Sequence, residues 1–169
     1  MLELKNLPDR DILKKFAARY PDADVERVLH FLNLLRVASD LSSGLDRLLA
    51  RHKLLQGRWW VLVLLMREDD YCATPSRLAE QAGVSRATMT GLIDGLQREE
   101  LVKRVPDPDD RRKTLIRLTA TGQARLDQVM PDYYQRLNRL MSVLTDDQGQ
   151  ALMEILALIK KQKHVFDRL

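Results

Sequence analysis

The sequence predicts a mainly α-helical protein with one β-hairpin, and three observations carry that prediction. Apolar residues recur at three- and four-residue spacing over most of the 169 residues, the pattern of helices that bury one face. Two short β-prone runs, Leu101–Val105 and Thr114–Leu118, stand between helical stretches. The segment joining them, PDPDDRRK over 106–113, is rich in turn formers, so the pair reads as a hairpin.

Each element has a local reason. Asp9 after Pro8 caps a short helix with Ile12, Leu13 and Phe16 on one face, and Tyr20-Pro21-Asp22 ends it. From Asp24 to about Arg51 runs a long helix whose spine is Val25, Val28, Leu29, Leu32, Leu35, Leu41, Leu45 and Leu48. Phe31, Leu34, Val37 and Ala38 widen its apolar surface, so it must be covered on several sides. In a chain this small, the second side is read as a partner subunit. Gln56-Gly57 resets the chain before a buried helix at about 58–68 containing Trp59, Trp60, Val61, Leu64 and Leu65.

Thr74-Pro75 is a helix start, with Leu78, Ala79 and Ala82 inward and a stop at Gly83. Ser85 caps the helix 86–99, which buries Met89, Leu92, Ile93 and Leu96 and presents Arg86, Thr88, Thr90, Asp94 and Gln97 on the other face. Gly91 and Gly95 each cost this helix roughly 1 kcal/mol against alanine, which suggests a close approach to a neighbouring helix or to DNA. After the hairpin, Thr119 caps a helix through Leu126, Val129, Leu137, Leu140 and Leu144, kinked or interrupted at Pro131. Thr145-Asp146-Asp147-Gln148 has capping-box spacing, and the last helix turns Leu152, Ile155, Leu156 and Ile159 inward. The organisation expected is an N-terminal helical region over 1–56, a lobe over 57–118, and C-terminal helices over 119–169.

Composition narrows the function. No apolar run approaches the roughly 18 residues of a membrane span, and MLELKNLPDRD lacks the apolar core of an export signal, which fits a cytoplasmic protein. A single cysteine, Cys72, excludes an internal disulfide and a zinc cluster, and the spacing of His30, His52 and His164 is unlike that of metal ligands. No cofactor, metal site or catalytic residues are expected: there is no phosphate-binding glycine loop, Ser/His/Asp set or paired-carboxylate cleft. The net charge of +4 does not by itself argue for nucleic acid, because residues 57–118 hold 11 Lys/Arg against 10 Asp/Glu. Any such case rests on where the cations sit.

The order of elements over 74–118 places them usefully. A short helix, a tight turn, a second helix and a hairpin make a winged helix-turn-helix, whose second helix projects small polar side chains and an arginine into a major groove. Ser85, Arg86, Thr88 and Thr90 suit that role. The residues Leu78-Ala79-Glu80, Gly83-Val84-Ser85-Arg86-Ala87-Thr88, Leu101-Val102-Lys103-Arg104, Asp107-Pro108, Asp110-Arg111-Arg112 and Leu118-Thr119-Ala120-Thr121-Gly122, in this order, resemble the MarR family of transcription regulators.

That resemblance implies a homodimer held by its terminal helices. It also implies a pseudopalindromic double-stranded operator, and release by a small aromatic ligand or by oxidation. It makes Arg112 the wing-tip candidate for the minor groove, Asp110 its brace and Arg111 a close second, with Lys103, Arg104 and Lys113 as phosphate contacts. An effector would lie between the dimerisation helices and the lobe. There, one of Trp59 and Trp60 would pack inward and the other line a pocket, with Ser39, Ser43, His52 and Arg86 as polar partners. Oxidant-sensing relatives carry their cysteine in the N-terminal helix, so Cys72 reads as an inert thiol. The rival class is a helical interaction or scaffold module that uses the winged helix without reading DNA.

Overall fold

A computed structural model describes residues 7–108, 110 and 112–166. Helices α1 (Arg10–Arg19), α2 (Val25–Arg51) and α3 (Gln56–Met66) come first, followed by the two-residue strand β1 (Cys72–Ala73). Helices α4 (Pro75–Ala82) and α5 (Arg86–Arg98) precede strands β2 (Val102–Pro106) and β3 (Thr114–Leu118). Helices α6 (Ala120–Met141) and α7 (Asp146–Lys161) and a 3₁₀ turn, Lys163–Phe166, complete the chain. It divides into two compact units, Met1–Leu126 and Asp127–Leu169.

The helix starts are where capping chemistry puts them. Asp9, Asp24, Thr74, Ser85 and Thr145 each accept the backbone N–H three residues on, and Thr145 with Gln148 closes a full capping box. Gln56 and Gly57, expected to be a break, instead form the first turn of α3. Pro131 does not interrupt α6, which is continuous through it. A ring inside a helix removes only one backbone bond, and the remaining turns hold the segment helical.

The sheet has three strands, ordered β1-β3-β2 and antiparallel throughout. Val102 pairs with Leu118, Arg104 with Ile116 and Pro106 with Thr114, while Cys72 pairs with Arg117. The hairpin expected from sequence is therefore extended by a strand too short to show a period-two pattern. Cys72 is buried; its Sγ accepts from Arg117 Nε at 2.8 Å, which holds that guanidinium above its ordinary pKa.

The core of the first unit is made by Leu49, Trp59, Val61, Leu62, Leu65, Leu78, Met89, Ile93, Leu96, Leu101 and Ile116. These side chains come from α2, α3, α4, α5 and both ends of the hairpin, so the winged helix-turn-helix is built on one apolar centre. Further out, apolar side chains are exposed within the single chain. Ile12 and Phe16 of α1, and Leu35 and Leu41 of α2, are exposed. In the second unit no residue of α7 is buried, and Ile155, Leu156 and Ile159 lie open rather than inward. Helical periodicity identifies an apolar face in each case without identifying what covers it.

Candidate nucleic-acid interface

The turn between α4 and α5 fixes the angle at which α5 leaves the lobe. Gly83 sits in the left-handed region (φ 65°), and its N–H donates to the Glu80 carbonyl at 3.1 Å. The Val84 N–H donates back to the Ala79 carbonyl at 3.0 Å, closing a tight helix end. Ser85 then starts α5: its Oγ accepts from Thr88 N–H at 3.1 Å and shares a hydrogen bond with Thr88 Oγ1 at 2.9 Å. Thr90 turns its hydroxyl back to the Arg86 carbonyl, 2.9 Å away. The two threonines thus hold defined orientations while remaining exposed, as do Arg86, Ala87, Gly91, Asp94 and Arg98.

The wing tip is organised by its acids. Asp107 N–H donates to the Lys113 carbonyl (3.1 Å), and Lys113 N–H donates to the Asp110 carbonyl (2.8 Å). Asp110 N–H reaches the Asp107 carboxylate at 3.4 Å. The Asp110 carboxylate accepts from both the backbone N–H (3.1 Å) and the Nε (3.2 Å) of Arg112, with Lys113 Nζ 3.8 Å from its other oxygen. The Arg112 side chain is nonetheless 92% exposed, so the brace directs the guanidinium without covering it. Asp109 and Arg111 lie outside the described residues.

Arg104 and Lys103 are exposed on β2, and their surroundings differ. Arg104 donates to Asp94 Oδ1 at 2.7 Å and to Gln97 Oε1, tying the wing strand to α5. A second arginine, Arg58 of α3, donates to Glu99 at the C-terminus of α5. Sequence reading did not single out Arg58 or Glu99, which are 41 residues apart. The signal available was Gly95, an unfavourable residue in mid-helix: a Cβ there would fall 2.6 Å from Arg58 Cζ.

The proposed effector residues are less concentrated. Trp59 is fully buried, whereas Trp60 is 43% exposed, with ring centroids 4.5 Å apart. Ser39 and Ser43 are half-buried on α2, His52 forms its C-cap, and Arg86 stands exposed at the start of α5. On α2 it is the neighbouring Ser42 that reaches α3, donating to Gln56 Oε1 at 3.3 Å. A shallow depression lined by Asp94, Gln97 and Arg98 opens on α5.

Residues 53–113 match the sequence model of the MarR family. The transcriptional repressor YetL of Bacillus subtilis is 30% identical over 98% of this chain and 99% of its own length. The chain belongs to the MarR family. It is accordingly a DNA-binding transcriptional regulator built on a winged helix. PecS, a regulator from Dickeya dadantii, is 26% identical over 89% of this MarR chain and 92% of its own. Two solved structures share the fold. Sco3205 from Streptomyces coelicolor, a MarR regulator determined in complex with DNA, superposes with a TM-score of 0.76 at 23% identity, covering 82% of this chain and 92% of that one. CouR from Rhodococcus jostii, determined with p-coumaroyl-CoA bound, gives 0.67 at 25% identity, covering 76% and 89%. No helix of the described residues is long and apolar enough to cross a membrane.

Proposed function

We propose that this MarR protein is a homodimeric repressor of a pseudopalindromic operator, released by a small aromatic or phenolic acid. The observation that carries the DNA part is the wing tip: a guanidinium held by Asp110 and presented almost wholly to solvent. In this reading the start of α5 enters a major groove with Ser85, Arg86, Thr88 and Thr90. Arg112 enters the adjacent minor groove, and Lys103 and Lys113 meet phosphates. An aspartate beside DNA repels it, so Asp110 is useful chiefly as an orienting group. The exposed apolar side chains of α1, α2 and α7 supply the self-association surface, since patches of this kind seldom remain uncovered. Two α5 helices then read half-sites about 34 Å apart.

A mobility-shift titration over a salt series tests this. Arg112→Ala is expected to weaken operator binding roughly tenfold and to lower the salt slope by about 0.9, one phosphate-equivalent of charge. Unchanged affinity removes the wing from DNA recognition, and an absence of salt dependence in the wild-type protein favours an interaction module instead. For the effector, Trp60 supplies a half-open aromatic face, and the structurally similar CouR, bound to p-coumaroyl-CoA, is a case in which the ligand carries an aromatic acyl group. Titrating salicylate-like acids should quench tryptophan fluorescence and release operator DNA together; neither effect across a panel of aromatic acids would sink the ligand assignment.

A further inference from the structure

The first turn of α3 touches α5 more closely than ordinary helix packing allows. A Cβ on Gly57 would lie 3.1 Å from Leu92 Cδ2, and one on Gly95 would overlap the Arg58 guanidinium. Arg58 thus lies in a recess that a side chain at residue 95 would contest, and it ends on the Glu99 carboxylate. Its side chain is 22% exposed and that of Glu99 37%, so the pair is partly shielded from solvent. Leu92, Gly95 and Glu99 are spaced i, i+3 and i+7, which places them along one edge of α5. Asp94 and Gln97, both gripped by Arg104, lie on the opposite edge. Between these edges is the exposed strip carrying Ala87, Gly91 and Arg98.

We propose that Arg58 is a positioning residue for sequence reading: seated in the Gly95 recess and tied to Glu99, it fixes the roll of α5 about its own axis. Arg104 opposes it from the other side, so the groove-facing strip is held between two guanidinium ties rather than by apolar packing alone. A helix rolled by a fraction of a turn still meets phosphates but brings Arg86, Thr88 and Thr90 to the wrong base edges. The tie therefore governs discrimination between sequences more than attraction to DNA. This inference rests on the DNA-reading assignment above.

The test uses the full-length protein, a duplex it selects from a random-sequence library, and a random duplex of the same length. Arg58→Gln and Gly95→Ala should each reduce the ratio of selected to random affinity roughly tenfold, about the discrimination of one base contact. Random-duplex affinity and the salt slope should stay unchanged. The double variant should be no worse than either single one, because both remove the same contact. A residue that merely stabilises the fold would lower the melting temperature without moving this ratio. Gly95→Ala keeps the proposal testable if Arg58→Gln folds poorly, since alanine favours the helix. Wild-type ratios in Gly95→Ala overturn the proposal, as does a lowered salt slope in Arg58→Gln, which would make Arg58 a phosphate contact. If the wild-type protein selects no sequence at all, the DNA-reading assignment falls, and the proposal with it.

Discussion

Gly91 offers a prediction in which stability and function move in opposite directions. It lies at the middle of α5 on the exposed face, and a Cβ built there meets nothing within 4 Å. Gly91→Ala therefore introduces no clash in the free protein, and removing a flexible residue from a helix interior stabilises it by about 0.5–1 kcal/mol. For a chain of this length that raises the melting temperature by roughly 1–4 °C, read by circular dichroism at fixed protomer concentration because dimerisation also contributes. In the docking proposed above, the same methyl would occupy the space between α5 and the groove floor. Overpacking of one methyl at a close interface costs about 1–3 kcal/mol, a loss of roughly five- to a hundredfold in affinity. The expected result is a more stable protein that binds its operator less well. A variant that melts higher and binds as tightly as wild type, or tighter, would show that α5 does not present Gly91 to DNA, and the docking described above would be wrong.

Two further predictions concern the scaffold under that interface. Gly122 lies in the first turn of α6, where a Cβ would collide with the Leu101 carbonyl and lie 2.6 Å from Leu118 Cδ1. It also donates its N–H to Thr119 Oγ1 at 3.0 Å, the hydroxyl that itself reaches the Glu100 carbonyl at 2.7 Å. Gly122→Ala should destabilise by about 2–3 kcal/mol from overpacking and a weakened cap, measured by urea denaturation; an unchanged midpoint would refute the close approach. Glu100 ends α5 at φ 58°, with Glu100 N–H to the Gln97 carbonyl and Leu101 N–H to the Leu96 carbonyl, both 3.0 Å. That arrangement favours glycine, so Glu100→Gly should stabilise by about 0.5–1 kcal/mol in the same assay, and a clear loss would mean that the Glu100 side chain has a structural role.

How far these features were legible in the sequence depends on how local their causes are. The caps at Asp9, Thr74, Ser85 and Thr145 depend on bonds spanning three residues, and each stands where the spacing put it. Strand β3 was equally clear, whereas β1 has only two residues and is defined by the partner it pairs with. The brace from Asp110 to Arg112 is one the family resemblance implies; the ties from Arg58 to Glu99 and from Arg104 to Asp94 close over 41 and 10 residues, and nothing in the sequence pairs their ends. Gly91 and Gly95 looked alike as costly glycines, yet one faces open space and the other a guanidinium. Periodicity also marked Ile155, Leu156 and Ile159 as a face without saying what would cover it.

The ion pairs on α5 and the wing bear on how such a regulator finds its site. Glu99, Asp94 and Asp110 each engage an arginine, and the lobe carries 11 basic against 10 acidic residues. Attraction to arbitrary DNA grows with the number of phosphates neutralised, so in the proposed docking an arginine held by a carboxylate adds less to it than a free one would. In the proposed repressor, less protein would then be held on non-operator DNA and more would remain available to the operator.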